Sequence, residues 1–467
     1  MMMIPSAAMA IPSNASSATL TLAVLGTGYV ANVTGACFAA MGFKVHCAGL
    51  ETDRIASLQA GKVPFYEDGL EALVQSELAT GNLVYSEDIE AAAKEADIIF
   101  VCVSSPTLPN GQPDMKPLKQ LLEPMITGLA QSEGYKLVVE RSNLPVGTGQ
   151  TIKQAVHKVL SAAKTLGPNP VMVDVAAVPQ FLREGHAVQD FFKPDHIIIG
   201  TESQRAKDLL VNLYSGLNAP MLFSDVTTAE LTKQATNAFL AVKISFINSI
   251  AQLCERTGAD VQLVSKGLGM DARISPHYLQ AGIGYGGIFL PRDLNTLVHL
   301  ASQHHLSFDL LKAAETVNRY QRIAFIERIE EACQGSLQGK TIALWGLAYR
   351  PNTDDMRDCP STQIIWGLQN RGATVRAYDP LAMEAAKEKV KRVTFCANAY
   401  EAAEGADAIA IVTEWPEFAQ INFSELKTRS TCRTLVDGRN LYSPVRVEEQ
   451  GFAYYSVGRP ASGLHHS

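Results

Sequence analysis

Two groups of residues in this chain could carry chemistry. Gly26-Thr-Gly28-Tyr29-Val30-Ala31 follows a short apolar run that starts at Leu20 and leads into a helical pattern. A GxGxxA turn between strand and helix lets backbone and helix N-terminus come close to a pyrophosphate, so it reads as a dinucleotide fingerprint rather than a bland tight turn. An acidic residue ordinarily ends the next strand and holds the adenosine ribose diol, but in Val45-His-Cys-Ala-Gly49-Leu-Glu51 the expected place is Gly49. Glu51 is expected to reach the ribose instead. A 2′-phosphate beside Arg54, and hence NADP, is the alternative; NAD is favoured because no clear pair of basic residues awaits the extra phosphate. The second group is Lys233 with Asn237, four residues apart in a stretch without glycine or proline until Gly258. On a helix both project from one face, and a cation with an amide donor suits an alkoxide or an aldehyde oxygen. A surface lysine and a capping asparagine are the plainer reading.

The elements that must position these groups follow from periodicity. The run ending at Gly26 is a strand, 33–41 a helix, and 44–47, 98–103, 137–140 and 171–175 are buried strands alternating with helical stretches, which implies a parallel sheet covered on both faces. Residues 227–262 form one long spine helix. A second strand-to-glycine unit starts at Thr341-Ile-Ala-Leu-Trp-Gly346, with strands at 374–378, 408–412 and 434–436. The expected fold is α/β, with two Rossmann-like doubly wound parallel-sheet domains joined by a helical central domain. Its division is a disordered tail (1–19), a dinucleotide-binding domain (20–215), a helical central domain (216–335) and a C-terminal Rossmann-like domain (336–467), the last two being the dimerisation and nucleotide-sugar-binding domains on the family resemblance given below.

Composition narrows the partners. The 467 residues carry a formal charge of −7 and no long basic run, which argues against nucleic acid and for a small molecule. The eight cysteines are scattered, without CxxC pairs or close histidine partners, so no metal site is expected and a reduced, cytoplasmic protein is the simple reading. The first 19 residues lack a basic residue ahead of an apolar core and fail as a secretory signal. No apolar run nears the ~20 residues that span a bilayer, so no membrane partner is expected. The closing His465-His466 pair reads as a flexible end.

Several longer motifs carry a resemblance. They are Pro64-Phe-Tyr-Glu-Asp-Gly-Leu70, Phe181-Leu182-Arg183-Glu184-Gly185, Glu230-Leu-Thr-Lys233-Gln-Ala-Thr-Asn237, Gly282-Ile-Gly-Tyr285-Gly286-Gly287-Ile288-Phe289-Leu290-Pro-Arg292-Asp293, Gly346-Leu-Ala-Tyr-Arg350 with Asp354-Asp355, and Asp437-Gly-Arg439-Asn440. In this order, from residue 20 to 445, the chain resembles the UDP-glucose/GDP-mannose dehydrogenase family. The resemblance implies NAD-dependent oxidation of a UDP-sugar and a homodimer built through the central helical domain. It implies that Lys233 and Asn237 stabilise oxygen charge, with Asp293 cooperating with the lysine and a water. Phe181, Leu182, Arg183, Tyr285, Gly286, Gly287, Arg350 and Arg439 are then expected to bind the nucleotide sugar. Arg273 matches an arginine that reaches the UDP-sugar across the dimer interface.

Three matching positions have changed. Phe289 stands where the family has the cysteine that captures an aldehyde as a thiohemiacetal, so that a second hydride can leave and a thioester can be hydrolysed. Gln180 replaces a glutamate base, and an amide cannot accept a proton at neutral pH. Asn143 replaces a water-positioning threonine, whereas Arg292, in place of lysine, keeps its charge. The losses fall on the second oxidation. The expected activity is therefore a two-electron or reversible hydride step on a UDP-sugar. A non-catalytic nucleotide-sugar-binding protein is one alternative. Another is a full 6-dehydrogenase with a different nucleophile, but the nearest cysteine, Cys254, lies 17 residues, between four and five turns, beyond Asn237 on the spine.

Overall fold

A computed structural model describes residues 20–106, 108, 112–163 and 171–462; the expected tail 1–19 and the closing histidines lie outside the described residues. The chain divides into two compact units, the first ending at Ala235 and the second beginning at Thr236.

The first unit is built on eight strands: β1 (Thr21–Leu25), β2 (Lys44–Ala48), β3 (Leu83–Ser86), β4 (Ile98–Val101), β5 (Tyr135–Glu140), β6 (Met172–Ala177), β7 (Ile197–Gly200) and β8 (Met221–Ser224). Their order is β3-β2-β1-β4-β5-β6-β7-β8. β4 is buried along its whole length, which is why it reads as an unbroken apolar run. All pairings are parallel except β6 with β7, which meet antiparallel through Ala177 and Gly200. The strand order reverses between β1 and β4, and the Gly26–Gly28 turn leaves β1 there. Gly26 has φ +131°, and a Cβ on it would lie 2.3 Å from the Cys102 carbonyl oxygen just beyond β4. Only glycine lets the turn pass so close.

The second unit holds a six-stranded, wholly parallel sheet: β9 (Thr341–Trp345), β10 (Thr374–Tyr378), β11 (Val393–Phe395), β12 (Ala408–Ile411), β13 (Thr434–Asp437) and β14 (Ala453–Ser456), in the order β11-β10-β9-β12-β13-β14. Its reversal point lies between β9 and β12. Trp345, Phe418 and Tyr454 are fully buried in its core. A helical layer adds Phe289–Gln303 and Asp309–Ala332, tied to the spine by a cluster of Ala238, Ala241, Tyr285, Leu294, Leu297 and Leu311.

The spine helix spans Val226–Thr257. It stops short of the expected 262 because Gly258 takes φ +78°, and the Asp260 side chain then accepts from the Gln262 N–H to start a new helix, Val261–Gly269. By length and apolar composition the spine could cross a membrane, yet Glu230, Lys233, Gln234, Asn237 and Asn248 are buried along it among loops of the fold. The α/β class, the two parallel sheets and the long-helical centre agree with the sequence reading. It missed β3, β7, β8, β11 and β14, which are only three or four residues long.

Candidate functional site

At the β1 turn, the helix Tyr29–Ala40 begins directly after Gly28, with no side-chain cap and no acidic residue in its first turn. A Cβ on Gly28 would meet nothing within 4 Å, so the space before the helix start is open. Both features fit a pyrophosphate. Val30 is half-buried and Ala31 buried in the flanking helix. Asn32, which the sequence reading missed, fastens the turn by donating to the carbonyls of Thr27 (2.8 Å) and Gly28 (2.9 Å). At Gly49 a Cβ would come within 2.5 Å of the Thr27 methyl, so a side chain there requires Thr27 to move. Thr27 instead donates its hydroxyl to Glu51 Oε2 at 2.5 Å, which places that exposed carboxylate at the turn. An acceptor suits a ribose diol and repels a 2′-phosphate, so these residues fit NAD. Arg54 is exposed on the following helix.

Glu67, from the Pro64–Leu70 motif, gathers the neighbouring segments. Its carboxylate accepts from the Tyr29 hydroxyl and from the N–H groups of Gly185 (2.6 Å) and Ala187 (2.7 Å). Burial pushes its pKa up, and these donors hold it back. Leu182 is buried beside this segment, while Arg183 is exposed and forms a 2.6 Å ion pair with Asp190.

Two of the three altered positions come together. Gln180 is buried; its Oε1 accepts from the Leu182 N–H at 2.6 Å and its Nε2 donates to Asn143 Oδ1 at 3.5 Å. Two neutral amides thus stand where a base and a hydroxyl were expected. On the spine, Glu230 accepts from the N–H groups of Gly147 and Gly149, both at 2.6 Å, and Gln234 donates to the Leu144 carbonyl at 2.8 Å. These contacts pin the helix start. Between them the buried Lys233 places Nζ 4.7 Å from the centre of the Phe181 ring. Glu140, also missed in the sequence, ends β5 with Oε1 buried and lacking a partner among the described residues. Burial first, and Glu230 second, push its pKa well up.

In the second unit, Asn237 donates to Asp293 Oδ2 at 2.5 Å, and Arg292 Nε lies 3.2 Å from Asp293 Oδ1. All three side chains are buried. The Arg292 guanidinium carbon stands 5.4 Å from the Phe289 ring centre. Phe289 opens the helix Phe289–Gln303, and Asp293 follows one turn on, on the same face.

The glycine loop before this helix is clamped from Asp309–Ala332. Asn318 accepts from the Tyr285 N–H at 2.8 Å and donates to its carbonyl at 3.1 Å, Arg322 donates to the same carbonyl at 2.8 Å, and Gln321 donates to Gly282 O at 3.0 Å. None of these three was singled out in the sequence, although their 318–321–322 spacing marks one polar face. A Cβ at Gly286 would strike Pro360 at 2.5 Å, and Gly287 has φ +77° with the Tyr349 ring 2.7 Å from a would-be Cβ.

The arginines separate. Arg439 spends its donors on Val412 O (2.8 Å), Gly284 O and Tyr349 O (both 3.4 Å), and pairs with Glu414 at 3.1 Å, so it braces the loop against the β9 and β12 ends. Arg350 is half-buried on the loop after β9. Arg273 has an 89% exposed side chain paired with Asp271 at 2.6 Å, and does not join Tyr285 or Arg439 among the described residues of this chain. All eight cysteines are buried and unpaired. The Cys254 thiol is pushed up by burial rather than activated, so it is a poor nucleophile.

Comparison with known proteins agrees with this layout. Residues 20–218 match the NAD binding domain of the UDP-glucose/GDP-mannose dehydrogenase family, residues 227–320 its central domain and residues 343–444 its UDP binding domain. A UDP-glucose 6-dehydrogenase of Pseudomonas aeruginosa is 38% identical over 453 residues, covering 95% of this chain and 98% of that protein. The Bacillus subtilis UDP-glucose 6-dehydrogenase TuaD is 38% identical over 441 residues, covering 94% and 93%. Among solved structures, a UDP-glucose dehydrogenase from Pyrobaculum islandicum superposes with a TM-score of 0.87 at 33% identity, covering 95% of this chain and 99% of that one.

Proposed function

The chain belongs to the UDP-glucose/GDP-mannose dehydrogenase family, and from that premise we propose that it is a NAD-dependent UDP-sugar oxidoreductase confined to a two-electron or reversible hydride step. One observation carries the reading: the position of the thioester nucleophile is a phenyl ring lying against Arg292. The Gln180 oxygen, committed to the Leu182 N–H, supports it. When bound, NAD supplies a hydride acceptor. Lys233 and Asn237, one turn apart on the spine, stabilise the oxygen that gains charge, and Asp293, held by Asn237 and Arg292, fixes the amide's orientation. Oxidation of an alcohol to an aldehyde by NAD is unfavourable near neutral pH without a thioester step to draw it forward. Transient oxidation with re-reduction, as in an epimerase, or aldehyde reduction therefore suits this chain better than net acid formation.

A non-catalytic, nucleotide-sugar-binding role is the second reading, and the loss of an acid at Gly49 favours it. Acid formation with another nucleophile is opposed by the burial of every thiol. The same reduced thiols support a cytoplasmic setting. Phe239, Phe246 and Leu253 are exposed at seven-residue intervals along the spine, which supports a homodimer through the central helices, with the exposed Arg273 exchanging its Asp271 partner for a partner subunit's sugar. The division 20–215, 216–335 and 336–467 belongs to the same proposal.

Product stoichiometry tests the reading. The wild-type protein given a UDP-hexose and NAD is expected to form no uronic acid; two NADH and one carboxylate per sugar would overturn the proposal. Phe289→Cys with Gln180→Glu should gain measurable acid formation, with Asn143 limiting its rate. If it gains none although Lys233, Asn237 and Asp293 are intact, the binding role is the better account.

A further inference from the structure

Arg292 is 5% exposed, and its guanidinium is only partly used. Nε faces Asp293 Oδ1, whereas Nη2 is buried and has no acceptor among the described residues. A buried cationic donor left unpaired is costly, so it persists where something else completes it. Arg292 occupies the fourth position of its helix, and side chains there lean back toward the N-terminus. Its guanidinium accordingly lies beside Phe289, at the position where the family's nucleophile would meet the sugar. That helix start has no side-chain cap and no acidic residue in its first turn, so its dipole adds to the positive character. Asp293 takes Arg292 Nε on one oxygen and Asn237 on the other, and Nη2 is not among its donors.

We infer that Arg292 forms a carboxylate subsite and that the nucleotide sugar bound here is already acidic: a UDP-hexuronate. This inference rests on the UDP-sugar reading above. A guanidinium with one edge committed to Asp293 offers its outer nitrogen to a planar carboxylate, whereas a hydroxymethyl group would offer that donor only a neutral oxygen. The missing thiol and base then have a simple cause. They serve to bring a carbinol carbon to the carboxylate level, and in this substrate that carbon is already there.

Calorimetry on the full chain with UDP, UDP-glucose and UDP-glucuronate tests this. The wild type is expected to bind UDP-glucuronate about tenfold or more tighter than UDP-glucose, the scale of one charge-assisted contact. Arg292→Met should bring the two within about threefold, and Arg292→Lys should fall between. Equal binding of both sugars by the wild type overturns the subsite while the UDP-sugar reading stands. Binding of neither sugar overturns both. A preference that survives in Arg292→Met, or an equal weakening of UDP and both sugars in that variant, also overturns the subsite. Should thermal melting show Arg292→Met to be unfolded, the wild-type preference and Arg292→Lys carry the test.

Discussion

Glu51 and Glu140 are carboxylates of the first unit with opposite fates. Glu51 is exposed and held by Thr27 at the mouth of the β1 turn, ready to accept from a ribose. Replacing it by alanine should weaken NAD by about tenfold or more, since hydrogen bonds to a charged group are worth about 1.5–3 kcal/mol each, and should weaken NADP less. Fluorescence titration checks this, and unchanged affinity for both would mean that Glu51 does not read the ribose. Glu140 is buried at the end of β5 with its pKa raised, so the fold prefers it protonated. Its favourable contribution is therefore complete below the unfolded pKa of about 4.3 and is lost as pH rises toward the folded value. Glu140→Gln removes that dependence. The melting temperature of the variant minus that of the wild type should grow more positive from pH 5 to pH 8, and a flat difference would show that another group titrates.

At the scale of elements, the glycine loop owes its shape to the helix Asp309–Ala332 more than to its own residues. Asn318 makes both a donor and an acceptor contact with the Tyr285 backbone, in a place sealed from solvent. Asn318→Leu would leave the Tyr285 N–H buried without its acceptor, at a cost of about 1–3 kcal/mol. The expected result is a lower melting temperature and weaker UDP-sugar binding, with NAD affinity unchanged because the β1 turn belongs to the other unit. An equal loss of NAD binding would show that the clamp acts on the whole molecule. The spine is the second positioning element: its first turns are bolted to the 144–149 loop through Glu230 and Gln234, which fixes the rotation at which Lys233 and Asn237 project.

For the whole molecule, the unpaired apolar surface of the spine sets the expectation. Phe239, Phe246 and Leu253 are 63%, 52% and 56% exposed, and a seven-residue interval keeps them on nearly one face. A charge at the centre of such a stripe cannot be buried without a partner. Phe246→Asp should convert a dimer to a monomer, weakening association by about 100-fold or more, as loss of a central aromatic contact does. Sedimentation velocity reads this directly. A wild type that is already monomeric at micromolar concentration would rule out the dimer.

The sequence by itself determined the fold class, because buried parallel strands are continuous apolar runs and the glycine turns after β1 and β9 mark where each sheet can admit a ligand. It also supplied the expectation of lost chemistry, since a phenyl ring cannot act as a thiol nucleophile, nor an amide as a general base, whatever surrounds them. The strands β3, β8, β11 and β14 were not legible, for each is short and broken by exposed or half-buried positions, unlike the equally short β4 and β12, which are buried throughout; β7 carries such a buried run and was missed. Only the tertiary structure decided that Arg439 braces Gly284, 155 residues away in the chain, that Asn318 and Arg322 hold the Tyr285 backbone, and that Arg292 keeps a donor in reserve. Local preference decides which residues form an element, but which donors find acceptors depends on packing between segments far apart in sequence, and that pairing exists only once the chain has folded.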